Sequence, residues 1–409
     1  MTTYSAVVTT GIYCRPGCGA RPLEQNTRTF DQPAAAEAAG FRACYRCRPY
    51  RVAGPVSATA PELVCEAVQQ IINGALDDGG TEQKLAASVG MSARHLRRLF
   101  LQHLGASPDQ LARSRRAHFA RRLLDDTDLT VLEIAFASGF GSLRQFNRIM
   151  REVFRAAPAD LRGRRQRADR LAADGGLALR LPVSPGYDWT AVRMFLAARL
   201  IPGVEQVDGD TYRRTITVAD APGLLEVSSK DKSCLLLRVH LPYWEGLIHV
   251  VDRVGSLLGV HTDYSPGVTA LLTDPVLGPL IARRPGLVVP GAWNPYESAI
   301  QERLSQTELG EFVRAHGTPV PGLPGDLTHL LPEQPAELTQ YVALRQGRRD
   351  AFPLTHPSVQ AALSDLGLDL AGPPDSWRPW LALAATHLIA HGDGLATPYR
   401  AGQAVECLT

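Results

Sequence analysis

No run of apolar residues in this 409-residue chain is long enough to span a bilayer. The N-terminus, MTTYSAVVTTGIY, lacks the basic stretch, long apolar core and small-residue cleavage site of a secretory leader. A cytoplasmic location is expected. Cysteine is sparse, at seven residues, yet four of them, Cys14, Cys18, Cys44 and Cys47, fall in two close pairs near the start. In a reducing compartment such clustering points to metal ligands rather than disulfides. Cys65, Cys234 and Cys407 are scattered and match no motif.

The rest of the composition is that of an ordinary globular protein, 45% apolar and 21% charged. The length exceeds what one core can organise, so three or more compact units are expected. The net charge of +2 conceals an asymmetry. Residues 91–170 hold seventeen arginines, no lysine and eight acids, whereas residues 171–409 hold eighteen basic and twenty-five acidic groups. The first segment suits a polyanion and the second does not.

The texture changes several times along the chain. Residues 1–50 are rich in cysteine and arginine. A connection, RVAGPVSATAP, leads into residues 61–162, where LAASVG, LRRLFLQHL, LARSRRAHFARRLL and VLEIAFASGF carry apolar residues at helical spacing. RGRRQRADR, residues 162–170, reads as a solvated boundary. Beyond 178, LALRLPV, YRRTITVA, LLEVSS and CLLLRVHL read as strands, with WTAVRMFLAARLI and YWEGLIHVVDRVGSLLGV as amphipathic helices among them. Residues 292–409 return to helix, broken by proline and glycine.

The cysteine pattern is Cys-x3-Cys, twenty-five residues, then Cys-x2-Cys. Two such pairs can close a tetrahedron around one Zn²⁺. On spacing alone, a structural clip holding a small coreless domain is the leading reading. The flanking segments TTGIYCRPGCGARP and AAGFRACYRCRP resemble the methyl-acceptor domain of the bacterial adaptive-response (Ada) regulators, over nearly all of residues 4–50. The resemblance implies that Cys14 accepts a methyl group from a DNA methylphosphotriester, while Cys14, Cys18, Cys44 and Cys47 all bind zinc. Arg15, Arg42, Arg46 and Arg48, beside the cysteines, are candidates for phosphate contact or a solubilising basic face. Only thirteen residues precede Cys14, where the family carries a further helix and strand, so either the start lies upstream or the domain is trimmed.

TEQKLAASVGMSARHLRRLF and TVLEIAFASGFGSLRQFNRIMREVF share one layout. A short helix ends at a glycine (Gly90; Gly139), and a serine (Ser92; Ser142) caps the next. Each is a helix-turn-helix whose second helix suits the major groove. The exposed faces carry Arg94, His95, Arg97 and Arg98 in the first unit, and Arg144, Gln145, Asn147 and Arg148 in the second. Arg, Asn and Gln are the side chains that read base edges. A helix around Pro108–Leu124 joins the two units. The pair resembles the DNA-binding domain of AraC-type regulators over residues 62–163. The bland alternative is an arginine-rich bundle with solvated charges.

LPVSPGYDWTAVRMFLAARLIPGVEQVDGDTYRRTI and DPVLGPLIARRPGLVVPGAWNPYESAI resemble the N-terminal domain of AlkA-type 3-methyladenine DNA glycosylases. Beyond residue 300 the resemblance becomes patchy. The family's hairpin reads like LPGIGPWTAEYIALR, where this chain has LPEQPAELTQYVALR, with Glu333 and Pro335 replacing glycines. A carboxylate repels phosphate there, and proline removes a donor. The catalytic aspartate, in a context like DAFPATD, is replaced by His356 in DAFPLTH, although Asp350 is retained. Histidine cannot support an oxocarbenium-like transition state, so loss of glycosylase activity is expected and His356 reads as a surface or packed residue without a role. No Pro-Cys-His-Arg motif is present, so repair of O6-methylguanine is not expected.

These readings combine into a multidomain α+β protein. A small zinc-binding α/β domain spans 1–52, an all-α double helix-turn-helix domain 61–163, an AlkA-like β–α domain 178–291 and a truncated helical glycosylase-like domain 292–409. The expected function is a DNA-binding activator of the alkylation response, nucleoid-associated, with one Zn²⁺ and a single-use methyl transfer at Cys14. Double-stranded DNA is the expected partner, and RNA polymerase the further one. A glycosylase fused to a regulator, and a plain regulator with a structural zinc site, are the competing readings.

Overall fold

The computed structural model describes residues 3–19, 22–51, 56–57, 60–77, 79–171, 175–218, 221–317 and 339–395. Strands β1 (Tyr4–Val7), β2 (Ile12–Cys14), β3 (Thr27–Phe30) and β4 (Arg42–Ala43) form one sheet in the order β3-β1-β2-β4, with α1 (Pro33–Ala38) packed on it. Strand β4 runs parallel to β2, pairing Tyr13 with Ala43. That register sets the next residues, Cys14 and Cys44, side by side.

A short strand, β5 (Val56–Ser57), precedes the helical segment and pairs in parallel with Thr262–Asp263 of the C-terminal half. Then come α2 (Glu62–Ile72), α3 (Glu82–Ser88), α4 (Ala93–Leu104), α5 (Pro108–Asp126), α6 (Val131–Ala137), α7 (Leu143–Phe154) and α8 (Pro158–Gly163). Helix α5 is the hub, with α2, α6, α7 and α8 all packed on it. It starts at a capping box, with Ser107 accepting from the Gln110 N–H and Gln110 from the Ser107 N–H, and Pro108 in the first turn.

The next sheet has the antiparallel order β6-β10-β9-β8-β7, built from β6 (Leu177–Pro182), β7 (Glu205–Asp208), β8 (Thr211–Val218), β9 (Ala221–Asp231) and β10 (Cys234–His240). Helices α9 (Trp189–Ala197) and α10 (Leu247–Leu257) accompany it. Both are shorter than their sequence patterns predict. The first ends at Ala197, where the Arg199 N–H turns back to the Leu196 carbonyl at 2.9 Å. Gly246, at φ +69°, sets the left-handed N-terminal turn of the second. The remainder is helical: α11 (Ser265–Leu271), α12 (Leu277–Arg283), α13 (Pro295–Arg303), α14 (Gln306–His316), α15 (Gln340–Arg345), α16 (Pro357–Asp365) and α17 (Leu381–Gly392). Among the described residues no helix is long and apolar enough to cross a membrane.

Packing runs across the segments. Tyr4, Tyr13, Phe41 and Tyr50 of the zinc module share one core with Leu123 and Phe154 of the helix-turn-helix segment and with Leu179 and Leu237 of the second sheet. A second core joins α11 and α12 to α15, α16 and α17, with Phe195 of α9. The basic stretch 162–170 is solvated over most of its length but anchored at three points. Arg162 donates to the Leu129 carbonyl, Arg165 to the Thr127 carbonyl and Asp128, and Asp169 is buried. Arg162 and Arg165 are thereby held against the fold, whereas Arg164, Arg167 and Arg170 stay exposed.

Candidate metal centre and nucleic-acid interface

Local backbone structure assembles the cysteines. Cys14 ends β2, and the Cys44 N–H donates to the Tyr13 carbonyl at 2.9 Å. The Cys18 N–H turns back to the Arg15 carbonyl at 3.3 Å, and the Arg48 N–H to the Cys44 carbonyl at 3.0 Å, which curls Cys47 toward the others. The four sulfurs lie within 4.8 Å of one another. A zinc tetrathiolate with Zn–S bonds of about 2.3 Å has S···S edges of about 3.8 Å, so slight contraction completes the shell. The donor chemistry agrees. Without a cation, the hydrogen bond that the Cys14 thiol donates to Cys47, burial and the Cys47 charge push the Cys14 thiol far up, while the same bond draws Cys47 down to about 5. Four thiolates this close require a cation between them. The residues fit one Zn²⁺.

Cys14 is the most enclosed of the four, at 7% exposed; the others are half-buried. Arg15 and Arg46 are exposed beside them. Arg42 stacks on Tyr45, 4.3 Å from the ring centroid. Arg48 is not available to phosphate: it bonds Asp169 at 2.5 Å and lies 3.9 Å from Asp125. Burial opposes its charge, but the Asp169 hydrogen bond and neighbouring acids hold its pKa above the ordinary value.

That ion pair belongs to a cluster that sequence reasoning missed. Arg51 reaches Asp126 at 3.0 Å and Asp169 at 3.0 Å, Arg180 of β6 reaches Asp126 at 2.6 Å, and Arg121 reaches Asp125 at 3.0 Å. The signal was present in the sequence. Two acids close α5, where the helix dipole disfavours negative charge, so cations from elsewhere must neutralise them.

The helix-turn-helix units repeat in detail. Gly90 and Gly139 take φ +71° and +74° at the turns. Ser92 accepts from the His95 N–H at 3.3 Å and Ser142 from the Gln145 N–H at 3.2 Å. Leu96 and Phe100, and Phe146 and Met150, bury one face of each second helix. Arg94, His95, Arg97 and Arg98 are exposed on α4, as are Arg144 and Arg148 on α7, with Gln145 and Asn147 half-buried. Five of these are held within the chain: Arg97 lies 3.8 Å from Glu82, Arg148 lies 3.6 Å from Glu152, Arg98 and His95 are bonded to each other at 3.4 Å, and the Asn147 amide donates to the Leu143 carbonyl at 2.9 Å. Arg94 and Arg144 carry no such ion pair among the described residues.

His356 caps α16, its Nδ1 accepting from the Ser358 N–H at 3.3 Å, and stacks on Tyr341 with ring centroids 4.6 Å apart. Burial, with the charge of Arg199, lowers its pKa to about 4, so the ring is neutral near pH 7. Asp350 faces Arg378 at 3.7 Å. Glu333 and Pro335 lie outside the described residues.

Three family models match the chain: the metal binding domain of Ada over residues 2–50, a helix-turn-helix domain over 85–164 and the AlkA N-terminal domain over 178–294. A probable bifunctional transcriptional activator/DNA repair enzyme AlkA of Mycobacterium tuberculosis is 35% identical over 89% of this chain and 75% of its own length. The chain belongs to the bifunctional transcriptional activator/DNA repair family. The Ada enzyme of Escherichia coli is 36% identical over 29% of this chain and 32% of its own, and AdaA of Bacillus subtilis 28% identical over 39% and 74%. Membership makes the protein a DNA-binding transcription regulator with a zinc site, built as a mixed α+β multidomain chain. The match to the AlkA N-terminal domain ends at residue 294, so His356 lies outside that domain.

Proposed function

We propose that the protein removes the methyl group from DNA methylphosphotriesters onto Cys14 and, once methylated, activates transcription of alkylation-response genes. The supporting observation is the convergence of four sulfurs within 4.8 Å in a segment matching the metal binding domain of Ada. Bound zinc keeps the sulfurs as thiolates at neutral pH. The Cys14 sulfur attacks the methyl carbon in line, the carbon–oxygen bond breaks, and its electron pair leaves on the phosphate oxygen. The products are an S-methyl thioether and an ordinary phosphodiester, and the protein is spent. Arg15 and Arg46, exposed beside the site, hold the approaching backbone. The change in charge carries the regulation. A zinc tetrathiolate bears −2, and methylation leaves −1, which lowers repulsion toward DNA and raises affinity. Arg94, His95, Arg97 and Arg98 then face one stretch of groove, and Arg144, Gln145, Asn147 and Arg148 the next.

Glycosylase activity is lost on this reading. His356 stands at the aspartate position, neutral and engaged as a helix cap, and offers no anion to a developing oxocarbenium. The protein acts in the cytoplasm at the nucleoid, where RNA polymerase is its transcriptional partner.

Peptide mapping after incubation with methylphosphotriester DNA tests the reading. One methyl group on Cys14 is expected, and none after Cys14→Ser. Methyl on Cys18, Cys44 or Cys47, or on none, overturns the assignment. Release of 3-methyladenine from alkylated DNA by the purified chain overturns the glycosylase statement.

A further inference from the structure

Between the helix-turn-helix segment and the C-terminal half lies a cavity of about 380 Å³. Helix α2 forms one wall through Gln69 and Asn73, and α10 the opposite wall through Arg253 and Ser256; the loop before α13 and the end of α15 close it with Trp293, Arg345 and Gln346. Its lining includes two arginines and two histidines and not one carboxylate, although residues 171–409 as a whole are acidic.

Neither arginine on those walls forms an ion pair among the described residues. Arg345 is 3% exposed, and among the described residues its guanidinium donates only to the Pro290 and Gly291 carbonyls and the Tyr341 hydroxyl. Arg253 is exposed at the cavity mouth and makes no ion pair among the described residues; its guanidinium lies 5.0 Å from the Trp293 ring centroid. Arg214, on the same ring at 4.8 Å, is by contrast neutralised by Glu205 and Glu297 at 2.6 and 2.5 Å. Two further wall groups, the Trp293 indole N–H and the Gln346 amide N–H, are buried donors without a partner among the described residues. A buried cation lacking an anion, as at Arg345, and a buried donor lacking an acceptor, as at Trp293 and Gln346, are each costly. A volume above roughly 300 Å³ is that of small-molecule sites.

We propose that this cavity binds a small, acceptor-rich organic anion, a phosphate- or carboxylate-bearing metabolite. Occupancy ties α2 to α10, and so couples the first helix-turn-helix unit to the glycosylase-like half. The site is independent of Cys14, and this proposal stands or falls apart from the methyl-transfer reading.

Titration calorimetry on the full zinc-loaded chain tests it, with inorganic phosphate, citrate, dAMP and neutral adenosine as probes at 0.15 M salt. At least one anion is expected to bind with Kd below about 1 mM, and adenosine not to bind. Phosphate, citrate and dAMP separate a bare anion, a polycarboxylate and a nucleotide. Arg253→Gln should weaken the anion at least tenfold, and Arg253→Lys, which keeps the charge, should retain most of it. Binding by no anion, equal binding by wild type and Arg253→Gln, or displacement of the anion by duplex DNA overturns the proposal.

Discussion

The Tyr13 hydroxyl and the His118 imidazole lie 3.2 Å apart, both bonded to Glu37, at 2.7 and 2.6 Å. Tyr13 directly precedes Cys14, and His118 sits mid-way along α5. The zinc site is thus joined by one buried polar knot to the helix that sets the spacing of the two helix-turn-helix units. Tyr13→Phe should cost about 1–2 kcal/mol in urea unfolding, with zinc content unchanged by metal analysis. An unchanged midpoint would mean that the knot is idle.

The buried acids at the end of α5 should be far more sensitive than exposed ones nearby. Asp125 is fully buried, and Asp125→Asn leaves Arg121 and the Arg48–Arg51 pair short of a charge. A loss of roughly 3 kcal/mol is expected. Asp128→Asn, at an exposed pair with Arg165 and Arg170, should cost under about 1 kcal/mol. Equal effects would refute the distinction.

Arg144→Ala and Ser142→Ala separate recognition from architecture. The first should lower DNA affinity by about 1–3 kcal/mol with stability unchanged. The second removes the N-cap of α7 and should cost about 1 kcal/mol of stability. Gel-shift and thermal melts on the same two proteins make the comparison.

Chelation should be felt beyond the zinc module. Tyr4, Tyr13 and Tyr50 share a core with Phe154, so metal removal should lower the melting of the α5–α7 segment too. Hydrogen exchange on α5 and α7, with and without chelator, measures this. Protection that survives chelation would contradict the shared core.

Acid should destabilise the C-terminal helices. His387 of α17 is 3% exposed, and burial lowers its pKa to about 4. The unfolded chain takes up this proton below the ordinary pKa of about 6.5, while the folded chain resists until about 4. Stability is therefore full above pH 6.5 and falls from there to pH 4, by up to roughly 3 kcal/mol. His387→Leu should flatten that slope in denaturant titrations at pH 7, 5.5 and 4.5.

The legible parts of the sequence were those where a local rule suffices. The helix-turn-helix pair follows from Gly90, Gly139, Ser92 and Ser142, and each takes its expected geometry. The sulfur cluster follows from spacing and flanking residues. Strand β7 escaped notice because EQVD is short and mostly polar. The role of Arg48 escaped because its partner, Asp169, is 121 residues away, and a one-dimensional reading cannot distinguish a basic face from half of a salt bridge. The carboxylate-free cavity is equally invisible, since its walls come from four distant segments.

The core shared by Tyr4, Tyr13, Phe41, Tyr50, Leu123 and Phe154 bears on how such a chain can change over generations. Modules joined by a linker can be exchanged between genes as wholes. Here each side of the seam is cut to the other, so a zinc module transplanted from a relative would arrive without the surface it needs. A substitution on one side of this seam must therefore be accommodated by the other side.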